Sequence, residues 1–311
     1  MRYALIGGVQ STAVALDSLL THGANVVGVL GYVPKEVQHV SGYLDVVEHA
    51  RGAGVARAVP FTKVNDPSTI DVLKSWDVDV LLVVGLSQIV SRPVRDTARQ
   101  LAVGFHPTQL PRGRGRAPIA WLVLKQEEGA ATLFELADGA DEGDILTQVP
   151  FAVGPRDHAS DVLERCMRAL SEAVRQFVWD SQQGSLQRTP QSQENATYWG
   201  ARKPADGRID WNIPAEVVDA LVRASAEPHP GAYTVTPSGE KIIFMRSHGP
   251  VNAYSGVPGR LLAVGEDDWL VACGDWAIRL GGIIREQRAV VGPRVGDLVG
   301  YRLSDLDQLL R

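Results

Sequence analysis

Through the first hundred positions, apolar residues gather in short unbroken runs, each followed by a stretch with apolar residues at helical spacing. The runs at 2–8, 25–30, 58–60, 78–84 and 101–105 predict strands, and the stretches at 10–21, 41–53, 68–75 and 91–100 predict helices. Unbroken runs suit strands covered on both faces. Their alternation with helices predicts a Rossmann-like α/β domain, a parallel sheet with helices on either side. Ligands of such sheets bind beyond the carboxyl ends of the strands. Three segments are expected to converge there: Gly85-Leu86-Ser87-Gln88, the loop after His106, and the turn before Asp141.

The pattern then changes. Apolar spacing predicts a long helix over 158–180, a polar linker over 181–203, and a further helix over 214–225. Short alternating runs at 233–235, 241–245, 259–264, 269–273 and 277–280 predict a small antiparallel β domain, barrel-like or sandwich. The expected organisation is a catalytic domain over 1–184, a linker over 185–205 and a β-rich domain over 206–311.

Composition narrows the class. The chain has 311 residues, 45% hydrophobic and 22% charged, which suits two globular domains. A net charge of -5 argues against a nucleic-acid partner, which a basic patch or stripe would announce. Cys166 and Cys273 lie far apart and read as buried free thiols, and no cysteine or histidine spacing suits a metal. No signal-peptide pattern opens the chain and no run reaches 18 apolar residues, so a cytoplasmic protein without a membrane span is expected.

Candidate chemistry sits in two segments. His106 closes a strand and precedes a loop stiffened by Pro107, Pro111, Gly113 and Gly115, which also carries Arg112, Arg114 and Arg116. The imidazole is either structural or catalytic, and the arginines are either a solvated face or a clamp for a carboxylate or phosphate. The second segment is Asp138-Gly139-Ala140-Asp141-Glu142-Gly143-Asp144, read either as turn chemistry or as the carboxylate partner of His106. Gln88 and Ser87 could bond a ligand or their own backbone. His229, between two prolines, reads as structural. The first strand ends in Gly7-Gly8-Val9-Gln10-Ser11 and no Walker lysine follows, so neither a dinucleotide nor ATP is expected.

Four stretches occur together in order: LPRGRGRAPIAW, DGADEGDIL, YWGARKPADGRIDW and PHPGAY. In this the chain resembles the N10-formyltetrahydrofolate-dependent formyltransferases over nearly its full length. The resemblance implies a Rossmann-like catalytic domain with a small barrel-like (OB-like) C-terminal domain, and formyl transfer from N10-formyltetrahydrofolate to an amine without a metal. It makes His106 the catalytic histidine and Asp141 the aspartate that tunes it. It places Leu86, Ser87, Gln88, Ile89, Val90, Arg116, Ala137, Asp138, Gly139 and Ala140 at the folate site. Arg114 or Arg116 would pair with anionic groups.

Residues 31–40 are short and not basic, unlike the tRNA-gripping loop of methionyl-tRNA formyltransferases. The linker and C-terminal stretches look closer to sugar-nucleotide formyltransferases, so the expected partner is a small amine on a sugar nucleotide. One position departs from the family: an asparagine usually stands two residues before the histidine, and here it is Gly104. That asparagine donates to the formyl oxygen as it becomes an oxyanion, and losing one such donor costs about 10²–10³ in rate. Gln109, Ser87 or a water could replace it, the freed space could admit a different donor or acceptor, or the chain could bind folate or an aminosugar with little catalysis. Methionyl-tRNA formylation and transfer of another one-carbon or acyl unit remain alternatives, and the oligomeric state, a homo-oligomer included, stays open.

Overall fold

The computed structural model describes residues 1–37, 40–286 and 292–300. Two positions of the short 31–40 segment, and residues 287–291 and 301–311 of the expected β-rich domain, lie outside the described residues. The chain divides into two compact units. One comprises Met1–Pro118, Glu127–Val153 and Leu163–Gly200, the other Ile119–Gln126, Gly154–Val162 and Ala201–Arg311.

The first unit is built on the predicted alternation. β1 (Arg2–Gly7), β2 (Asn25–Tyr32), β3 (Ala58–Phe61), β4 (Val80–Val83) and β5 (Leu101–His106) are separated by α1 (Gln10–Thr21), α2 (Val46–Gly52), α3 (Pro67–Ser75) and α4 (Arg92–Arg95). Local sequence starts these helices. The Asp45 carboxylate accepts the Glu48 amide at 3.0 Å ahead of α2, and Pro67 in α3 and Pro93 in α4 each stand in the first turn, where a missing amide hydrogen costs nothing. All five strands run parallel, and every residue of β4 is buried, as its unbroken apolar run requires.

Beyond β5 the chain forms the two-residue strand β6 (Arg114–Gly115), α5 (Pro118–Lys125), β7 (Gly129–Glu135), β8 (Ile145–Phe151), α6 (Ala159–Gln183) and β9 (Tyr198–Trp199). The sheet order is β3-β2-β1-β4-β5-β7-β8, and β7 and β8 run antiparallel to their neighbours. The parallel sheet is therefore extended by an antiparallel pair that the hydrophobic pattern does not announce. The short 136–144 connection explains the direction of β8, since a parallel return needs a crossover of a dozen or more residues. Ala4, Ile6, Leu30, Leu73, Trp76 and Leu81 are among the core residues of this unit, each fully buried branched residue contributing about 1.5–3 kcal/mol.

The second unit is the expected β-rich one. α7 (Ala215–Ser225) packs against an antiparallel sheet of β10 (Ala232–Val235), β11 (Lys241–Val251), β12 (Leu261–Val264), β13 (Asp268–Ala272) and β14 (Ala277–Glu286), in the order β10-β11-β14-β13-β12. Trp211, Phe244 and Trp269 form its aromatic centre, with edge-on ring contacts at 6.4 and 5.8 Å. Among the described residues no pairing joins β10 to β12, so these strands form an open sheet. Cys166 and Cys273 are buried free thiols, and burial pushes the Cys273 thiol up to about 12.

Candidate functional site

β4 and β5 are neighbouring parallel strands, so the loops after Val83 and His106 emerge at the same edge of the sheet. His106 is the last residue of β5 and is 5% exposed. Its Nε2–H donates to the Gly113 carbonyl at 2.8 Å. A carbonyl only accepts, so Nε2 carries the hydrogen and Nδ1 is the nitrogen left for chemistry. Nδ1 lies 3.5 Å from Asp141 Oδ2, with the Asp141 side chain the more exposed of the two, 19% against 6%. The same carboxylate oxygen accepts the Gly115 amide at 2.9 Å. Among the described residues Asp141 Oδ1 has no hydrogen-bond partner and is the open acceptor of the pair.

The backbone is bent to make this meeting. Gly115 sits at φ 111° with its Cα against the Trp199 carbonyl, a place no side chain fits. Asp141 itself adopts φ 56°, a left-handed conformation that aspartate tolerates better than most residues.

The structure narrows three readings that the sequence leaves open. Gly104 leaves no free space: a Cβ there would lie 2.6 Å from the Phe134 ring and 2.8 Å from Leu136, because Phe134 pairs with Gly104 across the sheet and fills the hole. Arg114 is neither part of a solvated face nor open as a clamp, because it is wholly buried. Gln88 is committed to its own scaffold, accepting from the Val64 amide at 2.9 Å and donating to the Thr62 carbonyl at 2.8 Å.

The other expected folate-site positions are distributed as follows. Leu86 and Val90 are half-buried and share a cluster with Leu136. Ser87 is exposed, and Ile89 projects at 84% exposure. Ala137, Asp138 and Ala140 are not buried, with Asp138 paired to Arg95, while Gly139 packs under the Glu142 carboxylate. Arg116 is not buried either, and among the described residues its guanidinium has no partner. Of the suggested replacement donors, Gln109 faces Glu128 at 3.5 Å.

Comparison with known proteins agrees with this architecture. Residues 7–178 match the model of the formyl transferase family, and residues 202–294 match the formyl transferase C-terminal domain. The chain belongs to the formyl transferase family. Among solved structures, a variant of HypX from Aquifex aeolicus is similar at a TM-score of 0.68 and 18% identity, over 93% of this chain and 46% of that one. This formyl transferase chain thus spans about half the length of HypX. HypX has also been solved in complex with tetrahydrofolic acid. WlaRD, a sugar 3N-formyl transferase solved in the presence of dTDP and 5-N-formyl-THF, is similar at a TM-score of 0.64 and 14% identity, over 93% of this chain and 99% of that one. An N-formyltransferase from Helicobacter canadensis, in complex with folinic acid and dTDP-3-aminofucose, gives 0.64 and 13% over 91% and 99%.

Sequence reasoning finds only part of one group: the pair Tyr198-Trp199 reads as an aromatic anchor packed on the first domain, and nothing points to Gln191 or Thr197. Gln191, Thr197 and Tyr198, in the stretch expected as linker, all bond to the loops that carry His106 and Asp141. No apolar periodicity marks them. Among the described residues no group of three or more His, Cys, Asp or Glu is arranged to hold a metal ion, and no helix is long and apolar enough to cross a membrane.

Proposed function

We propose that the chain transfers a formyl group from N10-formyltetrahydrofolate to a primary amine on a sugar nucleotide, with His106 and Asp141 as the catalytic pair. The observation that carries this reading is the 3.5 Å approach of His106 Nδ1 to a carboxylate from a distant turn, whose outer oxygen is open. The reaction forms one bond from the acceptor nitrogen to the formyl carbon and breaks the bond from that carbon to folate N10. One proton moves from the amine to N10. Asp141 Oδ1 takes the amine proton as the new bond forms, and His106, carrying a second proton on Nδ1, faces Oδ2 from behind and steadies the carboxylate charge. The pair then returns the proton to the leaving nitrogen.

The surroundings fit the two ligands. Ile89 offers an exposed apolar surface at a strand-end loop, suited to a flat pterin, and Ala137, Asp138 and Ala140 are exposed. Among the described residues Arg116 offers an unpartnered cation for a carboxylate or a diphosphate. Sugar-nucleotide acceptors are favoured because two of the similar structures, WlaRD and the Helicobacter canadensis enzyme, were solved with dTDP or a dTDP-amino sugar and are covered over 99% of their length. The net charge of -5 speaks against tRNA.

The test incubates the chain with N10-formyltetrahydrofolate and a panel of dTDP-amino sugars, reading product mass and tetrahydrofolate release. A formyl increment on one of them is the expected result. Formate release alone, or no reaction together with no rise in melting temperature on adding the folate, would overturn the proposal.

A further inference from the structure

Arg114 is a cation with no exposed surface, and burying a guanidinium is costly unless its donors are satisfied. Its partners come from an unexpected place. Nε and Nη2 donate to Gln191 Oε1 at 3.1 and 2.9 Å, and Nη1 donates to Gln193 Oε1 at 3.0 Å and to the Tyr198 hydroxyl at 2.7 Å. The charge is balanced by Glu142 at 3.6 Å.

The partners reach past Arg114 to the turn beside it. Gln191 Nε2 donates to the carbonyls of Asp141 and Gly143, at 2.9 and 2.6 Å, and the Tyr198 hydroxyl donates to Glu142 at 3.0 Å. Three consecutive residues, the left-handed Asp141 among them, are thereby held by one segment. That segment also grips the other loop. Thr197 Oγ1 accepts the Gly113 amide at 2.8 Å, the Thr197 carbonyl accepts the Arg114 amide at 2.9 Å, and the Trp199 carbonyl accepts the Arg116 amide at 3.1 Å. Gly113 is the residue whose carbonyl holds His106. The bonds close a ring running from His106 through Gly113 and residues 191–197 to Asp141 and back.

We infer that residues 189–199 are a strap that sets the His106–Asp141 distance, with Gln191 as its positioning residue. A non-glycine left-handed residue persists only where its surroundings over-determine it, and Gln191 supplies that determination from outside the turn. Thr189 anchors the strap at its near end through two backbone bonds with Ile145, at 2.8 and 2.9 Å. Gln191 touches no reacting atom; it acts through Asp141. The kinetic consequence rests on the formyl-transfer reading, but the geometric one does not.

The decisive variant is Gln191→Glu. It keeps acceptor oxygens for Arg114 and removes both donors to the turn. It is expected to melt within about 4 °C of the parent. Its kcat for formyl transfer is expected to fall about 10–100-fold, as a misplacement of roughly 1 Å produces, with KM for the folate within about two-fold, the pattern of a group acting only on the reacting geometry. Two NMR signals need no substrate: the His106 Nδ1 nitrogen and the Gly115 amide that donates to Asp141. Both are expected to shift in Gln191→Glu. A folded variant with kcat and both signals unchanged overturns the strap. If Gln191→Glu fails to fold, Tyr198→Phe takes its place, and an unchanged Gly115 amide there overturns it. Signals that move in a protein inactive on every amino-sugar nucleotide support the strap while sinking the proposed function.

Discussion

Each unit packs a carboxylate beside a basic side chain, and the two arrangements differ in kind. In the second unit Asp219 is 1% exposed on α7 and meets Arg223, one helical turn later, at 2.8 Å. Its other oxygen accepts from Ser247 at 2.5 Å and pairs with Arg156 at 3.2 Å, while Arg223 also donates to the Asp157 carbonyl. Every contact is short and both carboxylate oxygens are committed. In the first unit His106 and Asp141 come from a strand end and a left-handed turn, meet at 3.5 Å, and leave one carboxylate oxygen open. The saturated cluster has no capacity left for a ligand, and its role is to hold helix to sheet. The unsaturated pair is supported from behind and open in front, which is what proton transfer needs.

The sharpest way to break this contrast is a reciprocal pair of variants. Asp219→Ala strands the buried guanidinium of Arg223 and is expected to lower the unfolding free energy by about 3–5 kcal/mol, read by chemical denaturation. His106→Ala is expected to cost about 10²–10⁴ in turnover, the contribution of positioned acid–base catalysis, with its denaturation midpoint close to the parent's. A His106→Ala protein that loses stability but keeps its rate would exchange the two assignments.

A smaller effect tests what occupies the position where the family carries asparagine. The ring of Phe134 and the end of Leu136 stand where the new side chain would go, so Gly104→Asn is expected to destabilise by about 1–3 kcal/mol through overpacking. Its rate should not rise, because the amide cannot settle where it would point at an oxyanion. Phe134→Leu removes the nearest atoms. In a double-mutant cycle the pair should therefore be more stable than the sum of the singles, by at least about 0.5 kcal/mol. Additive behaviour would mean that Phe134 is not what fills the space.

Much of the first unit was legible because burial on both faces writes an unbroken apolar run, as at Val80–Val83. The place of His106 at the end of β5 was legible for a related reason: its apolar run stops at a loop punctuated by proline and glycine. β7 escaped notice because Gly129–Glu135 reads GAATLFE, small residues with little contrast, although six of its seven positions are buried. The strap escaped notice except for the aromatic pair Tyr198-Trp199, which reads as an anchor on the first domain. Gln191, Thr197 and Tyr198 act through polar bonds to the two loops, and such bonds leave no period in a sequence. The filling of Gly104 was likewise invisible, since the occupant is supplied from a distant strand by cross-strand pairing with Phe134.

The mildest test compares two histidines. His106 faces a carboxylate, whereas His229 is half-buried near the Arg202 guanidinium, and desolvation first and that cation second push its pKa down to about 4. The unfolded histidine takes up a proton below about pH 6.5, and the folded one refuses it until about pH 4. Within that window the unfolded state binds more protons, so stability rises with pH; the full contribution is present above about 6.5 and is lost on acidification. Burial likewise depresses His158, which therefore acts in the same direction in parent and variant alike. At about 1.4 kcal/mol for each unit of displacement, discounted for partial exposure, His229 should account for about 1–2 kcal/mol of the acid loss. Denaturation of the parent and of His229→Gln between about pH 7 and pH 4.5 measures this, and the parent should show the steeper decline. Parallel declines would remove His229 from the acid sensitivity of the fold.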